Sequence, residues 1–185
     1  MEFLSLFAEK ISAFLENPNT LQMFVNNRFL MILLVVVLLK LKYSTYSSIY
    51  MCAVVNLFGT ILHELSHFLI GLFLNAYPTQ FNLFPKKIGD SYVVGSVGFR
   101  NITFYNALPS AMAPLLLLIA GYYFNVWFFA NVKITYLSYI SYIFLQTVII
   151  ENAVPSPQDF KVAFSQPLGL LMYGALAVFA VIYVI

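Results

Sequence analysis

The sequence predicts an all-α polytopic membrane protein, with about five transmembrane helices, an amphipathic amino-terminal helix and a short membrane-associated β element. The composition is 62% hydrophobic and only 9% charged, far outside the usual range of soluble globular domains. Several apolar stretches approach the roughly 20 residues that a helix needs to cross a bilayer. The net charge of +2 is too small and dispersed to indicate a nucleic-acid partner. We expect one integral membrane domain over residues 1–185, with its core at about 49–161.

The first fifteen residues predict an amphipathic helix rather than a cleavable signal peptide. They lack a basic start, and the acidic residues Glu2 and Glu9 interrupt the apolar pattern. The apolar residues of this segment fall on one helical face: Phe3, Leu4, Phe7, Ile11, Phe14 and Leu15. Such a helix lies on the membrane surface or packs against the bundle.

Five apolar stretches are long enough to be considered as membrane spans. They are Leu21–Leu41, Ile49–Leu74, Leu108–Phe129, Ile134–Ile150 and Leu168–Ile185. The first is the weakest, because its uninterrupted apolar part runs only from Phe29 to Leu39. It spans the bilayer only if the polar residues before it lie at the interface, or if Lys40 and Lys42 extend along the helix to reach the interface.

The longest connection, Asn75–Asn106, predicts the β element. Its segment Pro85–Asp90 is typical of a turn, and Tyr92–Phe99 contains strand-forming residues with glycines suited to a bend or bulge. This element is either a simple connector or an edge that pairs with an extended peptide.

The distribution of basic residues favours a cytoplasmic amino terminus. In that orientation the inner segments hold Lys10, Arg28, Lys86, Lys87, Arg100 and Lys161, and the outer segments hold Lys40, Lys42 and Lys133.

Both histidines of the chain lie in one motif within the second predicted span, His63-Glu64-Leu65-Ser66-His67. Residues four apart on a helix share a face, so both imidazoles can bind one metal ion. Glu64, beside the first histidine, can accept a proton from water that the metal acidifies. Ionisable residues at membrane depth each cost roughly 2.5–3.5 kcal/mol, so a purely structural role for this group is improbable. The pattern HExxH on a helix indicates a zinc hydrolase.

A hydrolytic zinc site usually needs a third protein ligand, and the chain has no third histidine. Glu151, Asp159 and Asp90 are the acids that remain plausible. The second and fourth predicted spans run in the same direction, so the segment after the fourth can meet the motif near one face of the membrane. Pro155 and Pro157 prevent that helix from continuing regularly, which allows the backbone to turn inward. We favour Asp159 over Glu151, with Asp90 third.

At this point the sequence resembles a known family. HELSH, followed about ninety residues later by Asn-Ala-Val-Pro-Ser-Pro-Gln-Asp at residues 152–159, is similar to the two motifs of the site-2 protease family of intramembrane zinc metalloproteases. The similarity covers Val54 to Lys161. It implies these site residues: His63, His67 and Asp159 as Zn²⁺ ligands, Glu64 as general base, and Asn152 as a residue that helps to hold substrate. Phe160 stands where the family usually has glycine, and the chain lacks the peptide-binding domain of larger members.

The resemblance therefore predicts hydrolysis of peptide bonds in transmembrane proteins or peptides, within or at the edge of the lipid bilayer. We expect the protein in a bacterial cytoplasmic membrane, with the amino terminus and active site toward the cytoplasm. One alternative is a noncatalytic membrane protein with a structural zinc site that binds partner helices. Another is a membrane zinc protease with a cytosolic site that uses Glu151 as its third ligand.

Overall fold

The computed structural model describes residues 2–88, 91–93 and 95–183. The described chain is mostly helical, with four short strands between the fourth and fifth helices. The helices are α1 (Glu2–Glu16), α2 (Pro18–Asn26), α3 (Arg28–Ser44), α4 (Ile49–Phe73), α5 (Ala107–Ala111), α6 (Leu116–Asn131), α7 (Tyr136–Glu151), α8 (Pro157–Ala163) and α9 (Pro167–Tyr183). The strands are β1 (Pro78–Asn82), β2 (Lys86–Ile88), β3 (Ser91–Val93) and β4 (Ser96–Phe99).

Three helical segments of the described chain are long and apolar enough to cross a membrane: Arg28–Ser47, Ile49–Phe73 and Ala113–Asn131. Helices α8 and α9 qualify only as a pair, and they meet at a bend of 89°. Helix α7 has 16 residues, which at 1.5 Å each span about 24 Å, less than the roughly 30 Å of a hydrocarbon core. The structure thus supports a largely helical chain with three candidate spans, or four if the bent pair counts as one, and the predicted number of five is not confirmed.

The third predicted span begins later than expected because its start is broken at prolines. Helix α5 contains Pro109 and ends at Ala111. A 3₁₀ turn over Ala113–Leu115 follows, with Pro114 near its start, before α6 begins. A proline lacks the amide hydrogen that a continuous helix would need, so the chain forms two helices here. The carbonyl groups around this break become available to other parts of the protein.

The packed core of the bundle lies between α6 and α7. Its buried residues are Phe128, Tyr139, Tyr142 and Ile143. The rings of Phe128 and Tyr142 stack with centroids 4.7 Å apart, and the Tyr142 hydroxyl donates to Asn125 Oδ1 at 2.6 Å. Buried aromatic pairs of this kind stabilise a helix pair while their polar ends find partners. This pair packs the end of α6 against the first half of α7.

Helix α3 runs in the same direction as α7. Just before α3 begins, the Val25 carbonyl accepts a hydrogen bond from Tyr139 in the first turn of α7, at 3.1 Å. At the other end, Lys42 Nζ lies 2.6 Å from Glu151 Oε2, at the last residue of α7. The residues before α3 therefore lie at the opposite end of α7 from Asn152. This differs from the predicted orientation, in which the first and fourth spans are antiparallel and the amino terminus shares a side with the active site.

Helix α1 forms as predicted over the described residues and packs mainly against α2. Its apolar residues Leu6, Ile11 and Phe14 are exposed. Of the two predicted locations, this packing argues against burial in the bundle and favours a surface position.

The predicted β element is present as two antiparallel pairs, β1 with β4 and β2 with β3. Phe81 pairs with Val97 and Asn82 with Ser96 in the first of these. Lys86–Ile88, within the predicted turn, instead forms β2, and Gly89 and Asp90 lie outside the described residues. Gly95 has a φ of +82°, a conformation that glycine adopts without strain. The predicted bend therefore occurs at Gly95, immediately before β4.

Candidate metal centre

The two histidines lie near the middle of α4 and face the same point. His63 is two residues past the midpoint of Ile49–Phe73, and His67 follows one turn later. Their Nε2 atoms are 3.2 Å apart. Helical geometry alone produces this pairing, since residues four apart are neighbours on one face.

Asp159 reaches the same point from α8. Pro157 occupies the first turn of α8, and Ser156 caps it through a reciprocal pair of hydrogen bonds with Asp159. In that pair Ser156 N donates to Asp159 Oδ2 at 2.6 Å, and Asp159 N donates to Ser156 Oγ at 3.2 Å. A capping box of this kind orients the carboxylate as well as starting the helix. Phe160 continues the helix with its side chain exposed, so no glycine is needed at that position.

The three side chains form a group whose ligand atoms could hold one metal ion. His63 Nε2 lies 3.4 Å from Asp159 Oδ2, and His67 Nε2 lies 3.2 Å from Asp159 Oδ1. Ligands about 2.0–2.1 Å from a tetrahedral zinc ion are separated from one another by about 3.3 Å. The spacing of the three ligand atoms therefore fits a zinc ion between them.

The hydrogen bonds of the two Nδ1 atoms also indicate that the group can bind zinc. His63 Nδ1 lies 2.8 Å from the Asn152 carbonyl, and His67 Nδ1 lies 2.8 Å from the Ser110 carbonyl. Carbonyl oxygens only accept, so each Nδ1 carries a proton and donates it, and each Nε2 is directed toward the carboxylate. Hydrogen bonds of this type are the usual means by which proteins orient histidine ligands. The group thus has the chemistry of a cation site, and its residues fit zinc.

Glu64 lines the same cavity and is almost fully buried, with 6% of its surface exposed. Gly95 packs directly over it, since a Cβ atom at that position would come within 2.5 Å of Glu64 Oε1 and 2.6 Å of Thr60 Cγ2. Gly95 and the Glu64 side chain therefore pack in direct contact, with no space for a side chain at position 95. A larger residue at position 95 would displace the carboxylate.

The cavity around these groups has a volume of about 490 Å³. This lies within the range of small-molecule and peptide sites. Its walls come from the middle of α4, from residues 95–99, from the segment after α7 and from α8. One edge of β4 pairs with β1, and the same strand lines the cavity. The metal group and Glu64 therefore open onto a space bordered by a strand.

Asn152 also lines the cavity, and its main chain has a role that the motif does not reveal. Its carbonyl accepts a hydrogen bond from His63 Nδ1, and its side-chain Nδ2 donates to the Val148 carbonyl at 2.8 Å. The side chain lies directly against Gly59, where a Cβ atom would overlap it. Asn152 thus connects the end of α7 to the first histidine.

The other predicted acids have different positions. Glu151 accepts two hydrogen bonds from α3. Lys42 Nζ donates to Oε2 at 2.6 Å, and the Tyr43 hydroxyl donates to Oε1 at 3.3 Å. Both of its oxygens therefore contact α3 rather than the histidines. Asp90 lies outside the described residues.

Several residues that shape the site were not singled out from the sequence. The Ser110 carbonyl holds His67, and fully buried Asn106 binds the carbonyls of Leu74 and Asn101 at 3.3 Å and 3.0 Å. Asn106 thereby attaches the end of α4 to the loop that leads into α5. No side chain in the sequence indicates that the Ser110 carbonyl binds a histidine. Pro114 does indicate that this carbonyl lacks its usual partner in a helix, because proline has no amide hydrogen.

No protein-family model, curated protein or solved structure matches this chain.

Proposed function

We propose that the protein is an intramembrane zinc metalloprotease that cleaves transmembrane proteins or peptides within or at the edge of the bilayer. The observation that carries this proposal is the convergence of His63, His67 and Asp159 beside the buried Glu64 in one open cavity. The apolar helices of the described chain support a membrane setting.

His63, His67 and Asp159 would hold the zinc. Zinc in such a site supplies the Lewis acidity that polarises a carbonyl group and acidifies water. Glu64 then accepts a proton from the attacking water and passes it to the leaving amine. The Asn152 and Ser110 carbonyls accept hydrogen bonds from the two Nδ1 atoms, so each Nε2 would remain available to bind zinc.

The substrate must present its backbone in extended form, because a helical substrate hides its carbonyls in internal hydrogen bonds. Strand β4 borders the cavity and pairs on one side with β1. We propose that an unwound substrate segment docks along β4 as an added strand, near Gly95 and the metal group. Asn152, which also lines the cavity, would orient the substrate backbone.

The noncatalytic alternative is less well supported. Structural zinc sites are usually closed by four protein ligands, whereas catalytic sites keep one position open. The described residues supply three ligands to this group, and the group opens onto a cavity. The alternative in which Glu151 is the third ligand is weakened by the contacts of that side chain with Lys42 and Tyr43.

We propose that the active site faces the cytoplasm of a bacterial membrane. Lys86, Lys87 and Arg100 follow the carboxyl end of α4, and Lys161 lies in α8, next to the site. The amino-terminal helices are not assigned to that side, because α2 lies at the far end of α7 from the site.

The decisive test is a cleavage assay on transmembrane peptides in detergent or vesicles, with zinc quantified in each protein. We expect Glu64→Gln to retain zinc and lose turnover, because it keeps the shape of the side chain but not the base. Asp159→Ala should lose zinc, whereas Glu151→Ala, which changes an acid that does not contact the histidines, should still bind zinc at saturating concentration. Zinc retained by Asp159→Ala and lost by Glu151→Ala would overturn the ligand assignment, and full turnover by Glu64→Gln would overturn the proposed mechanism.

The docking strand has its own test. Proline at Val97 removes a backbone donor from β4, and proline at Thr79 makes the same change in the partner strand β1. We expect the first to reduce cleavage more than the second while zinc content stays unchanged in both. Equal cleavage by wild type and Val97→Pro would remove β4 from the proposal.

A further inference from the structure

Lys42 and Glu151 form an ion pair in an unusual position. The Nζ and Oε2 atoms are 2.6 Å apart, and the two side chains are only 13% and 24% exposed. Each residue lies at the carboxyl end of its helix, α3 or α7. A helix carboxyl end favours a cation and disfavours an anion, so Glu151 is unfavourably placed there without Lys42.

The pair also lies close to residues near the middle of α4. Glu151 directly precedes Asn152, whose side chain packs against Gly59, near the middle of α4. Lys42, Glu151, Gly59 and Asn152 line one small cavity between α3, α4 and α7. Charged groups at such a depth are expensive in a membrane and usually have a function.

The contacts lead from this pair to the metal group in two steps. Lys42 holds Glu151, the last residue of α7, and the next residue presents its carbonyl to His63 Nδ1 at 2.8 Å. No ligand atom is touched by Lys42 in this arrangement. The position of the Asn152 carbonyl nevertheless depends on where α7 ends, and the ion pair restrains that end against α3.

We propose that Lys42 and Glu151 are a positioning pair for the metal centre, acting through the Asn152 carbonyl on the ring of His63. The pair favours the Nδ1-protonated form of His63, so that its Nε2 faces Asp159 and His67 and would be available to zinc. This inference rests on the proposed function only in assuming that the centre binds zinc. Its effect on the imidazole can be measured without any metal.

The test uses the full chain in detergent with ¹⁵N-labelled histidine, since the sequence contains only two histidines. We expect Lys42→Met and Glu151→Gln to change the His63 ring signals and speed exchange of its Nδ1 proton. The Nδ1 proton of His67, which is donated to the Ser110 carbonyl instead, should exchange at the wild-type rate and serves as an internal control. Zinc affinity, measured by chelator competition, should fall about 10-fold, the lower end of the range for groups that orient metal ligands.

Two further variants separate positioning from general stability. Lys40→Met removes an exposed lysine from the same helix and should leave both readouts unchanged. The exchanged pair Lys42→Glu with Glu151→Lys restores the attraction and should recover the His63 signals and zinc affinity. If the single variants do not yield monodisperse protein, the exchanged pair decides: wild-type zinc affinity and His63 signals support the proposal, and loss of either refutes it.

The results distinguish the two proposals. Unchanged His63 signals and zinc affinity in Lys42→Met and Glu151→Gln would overturn the positioning role, even if these proteins unfold at lower temperature. Failure of the wild-type protein to bind zinc would overturn the proposed function instead, while the imidazole signals would still test the pair.

Discussion

Replacement of Gly59 by alanine tests how tightly the end of α7 is fitted to α4. A Cβ atom at this position overlaps the side-chain amide of Asn152. That amide cannot swing away freely, because Nδ2 donates to the Val148 carbonyl at 2.8 Å. The overlap must therefore break this hydrogen bond or move the main chain that holds His63.

The magnitude follows from three contributions. Overpacking of this kind costs about 1–3 kcal/mol, and the broken hydrogen bond costs about 1 kcal/mol. Alanine in a helix interior gains about 1 kcal/mol over glycine. The net expectation is a loss of about 1–3 kcal/mol in the free energy of unfolding. If the Asn152 carbonyl also shifts, zinc affinity should fall about 10-fold or more.

Gly174 on α9 provides the matched control, since an added Cβ atom there meets nothing within 4 Å. Gly174→Ala should gain up to about 1 kcal/mol and bind zinc like the wild type. Denaturation in detergent and chelator competition measure the two quantities. The double variant Gly59→Ala with Asn152→Ala removes the overlap but keeps the carbonyl, and should recover most of the loss. Equal stability and zinc affinity in Gly59→Ala and Gly174→Ala would refute this reasoning.

Four other predictions concern the same site. Asn152→Ala should keep zinc, because the main-chain carbonyl remains, but should lower turnover in the peptide cleavage assay; loss of zinc would contradict this. Gly95→Ala forces a side chain into the left-handed region at about 1–2 kcal/mol and against Glu64, so cleavage should fall while zinc content, measured by metal analysis, is retained. Ser156→Ala removes the α8 cap, which should cost about 0.5–2 kcal/mol and weaken zinc binding through Asp159; an unchanged zinc affinity would show that the cap does not orient the carboxylate. Zinc at 100 times its dissociation constant should raise stability by about 2.7 kcal/mol, a shift that Glu64→Gln should retain and Asp159→Ala should lose in thermal unfolding.

The sequence predicted the helical character of the chain and most element positions well. Long apolar runs and the turn residues of 75–106 are local signals, and the structure has helices and short strands where those signals lie. The number of membrane spans could not be predicted as well from apolar content. Pro109 and Pro114 shorten the third span from its start, and the bend between α8 and α9 depends on packing that apolar content does not describe.

The direction of α3 differs from the one that strictly alternating spans would give. The prediction assumed that consecutive apolar stretches alternate in direction. Tyr139 and Glu151 instead bind the two ends of the segment from Val25 to Lys42, so that it runs alongside α7. These are contacts between residues more than one hundred positions apart, and no local pattern encodes them.

By itself, the sequence determined which side chains are available for a metal site and how two of them are spaced. His63 and His67 need only a helix to share a face, because a separation of four residues is set by the helical repeat. Asp159 was preferred from its place after Pro155 and Pro157, and the tertiary structure decided that it meets the histidines.

The tertiary structure alone decided how the imidazoles are oriented, which acid is held by Lys42 and which glycine covers Glu64. Each of these depends on a backbone atom or an ion pair contributed by a distant segment: the Asn152 and Ser110 carbonyls, the contact between α3 and α7, and the bend at Gly95. The physical reason is that helix spacing is a local property of the backbone, whereas the hydrogen-bond partners of a buried side chain are set by the packing of the whole chain.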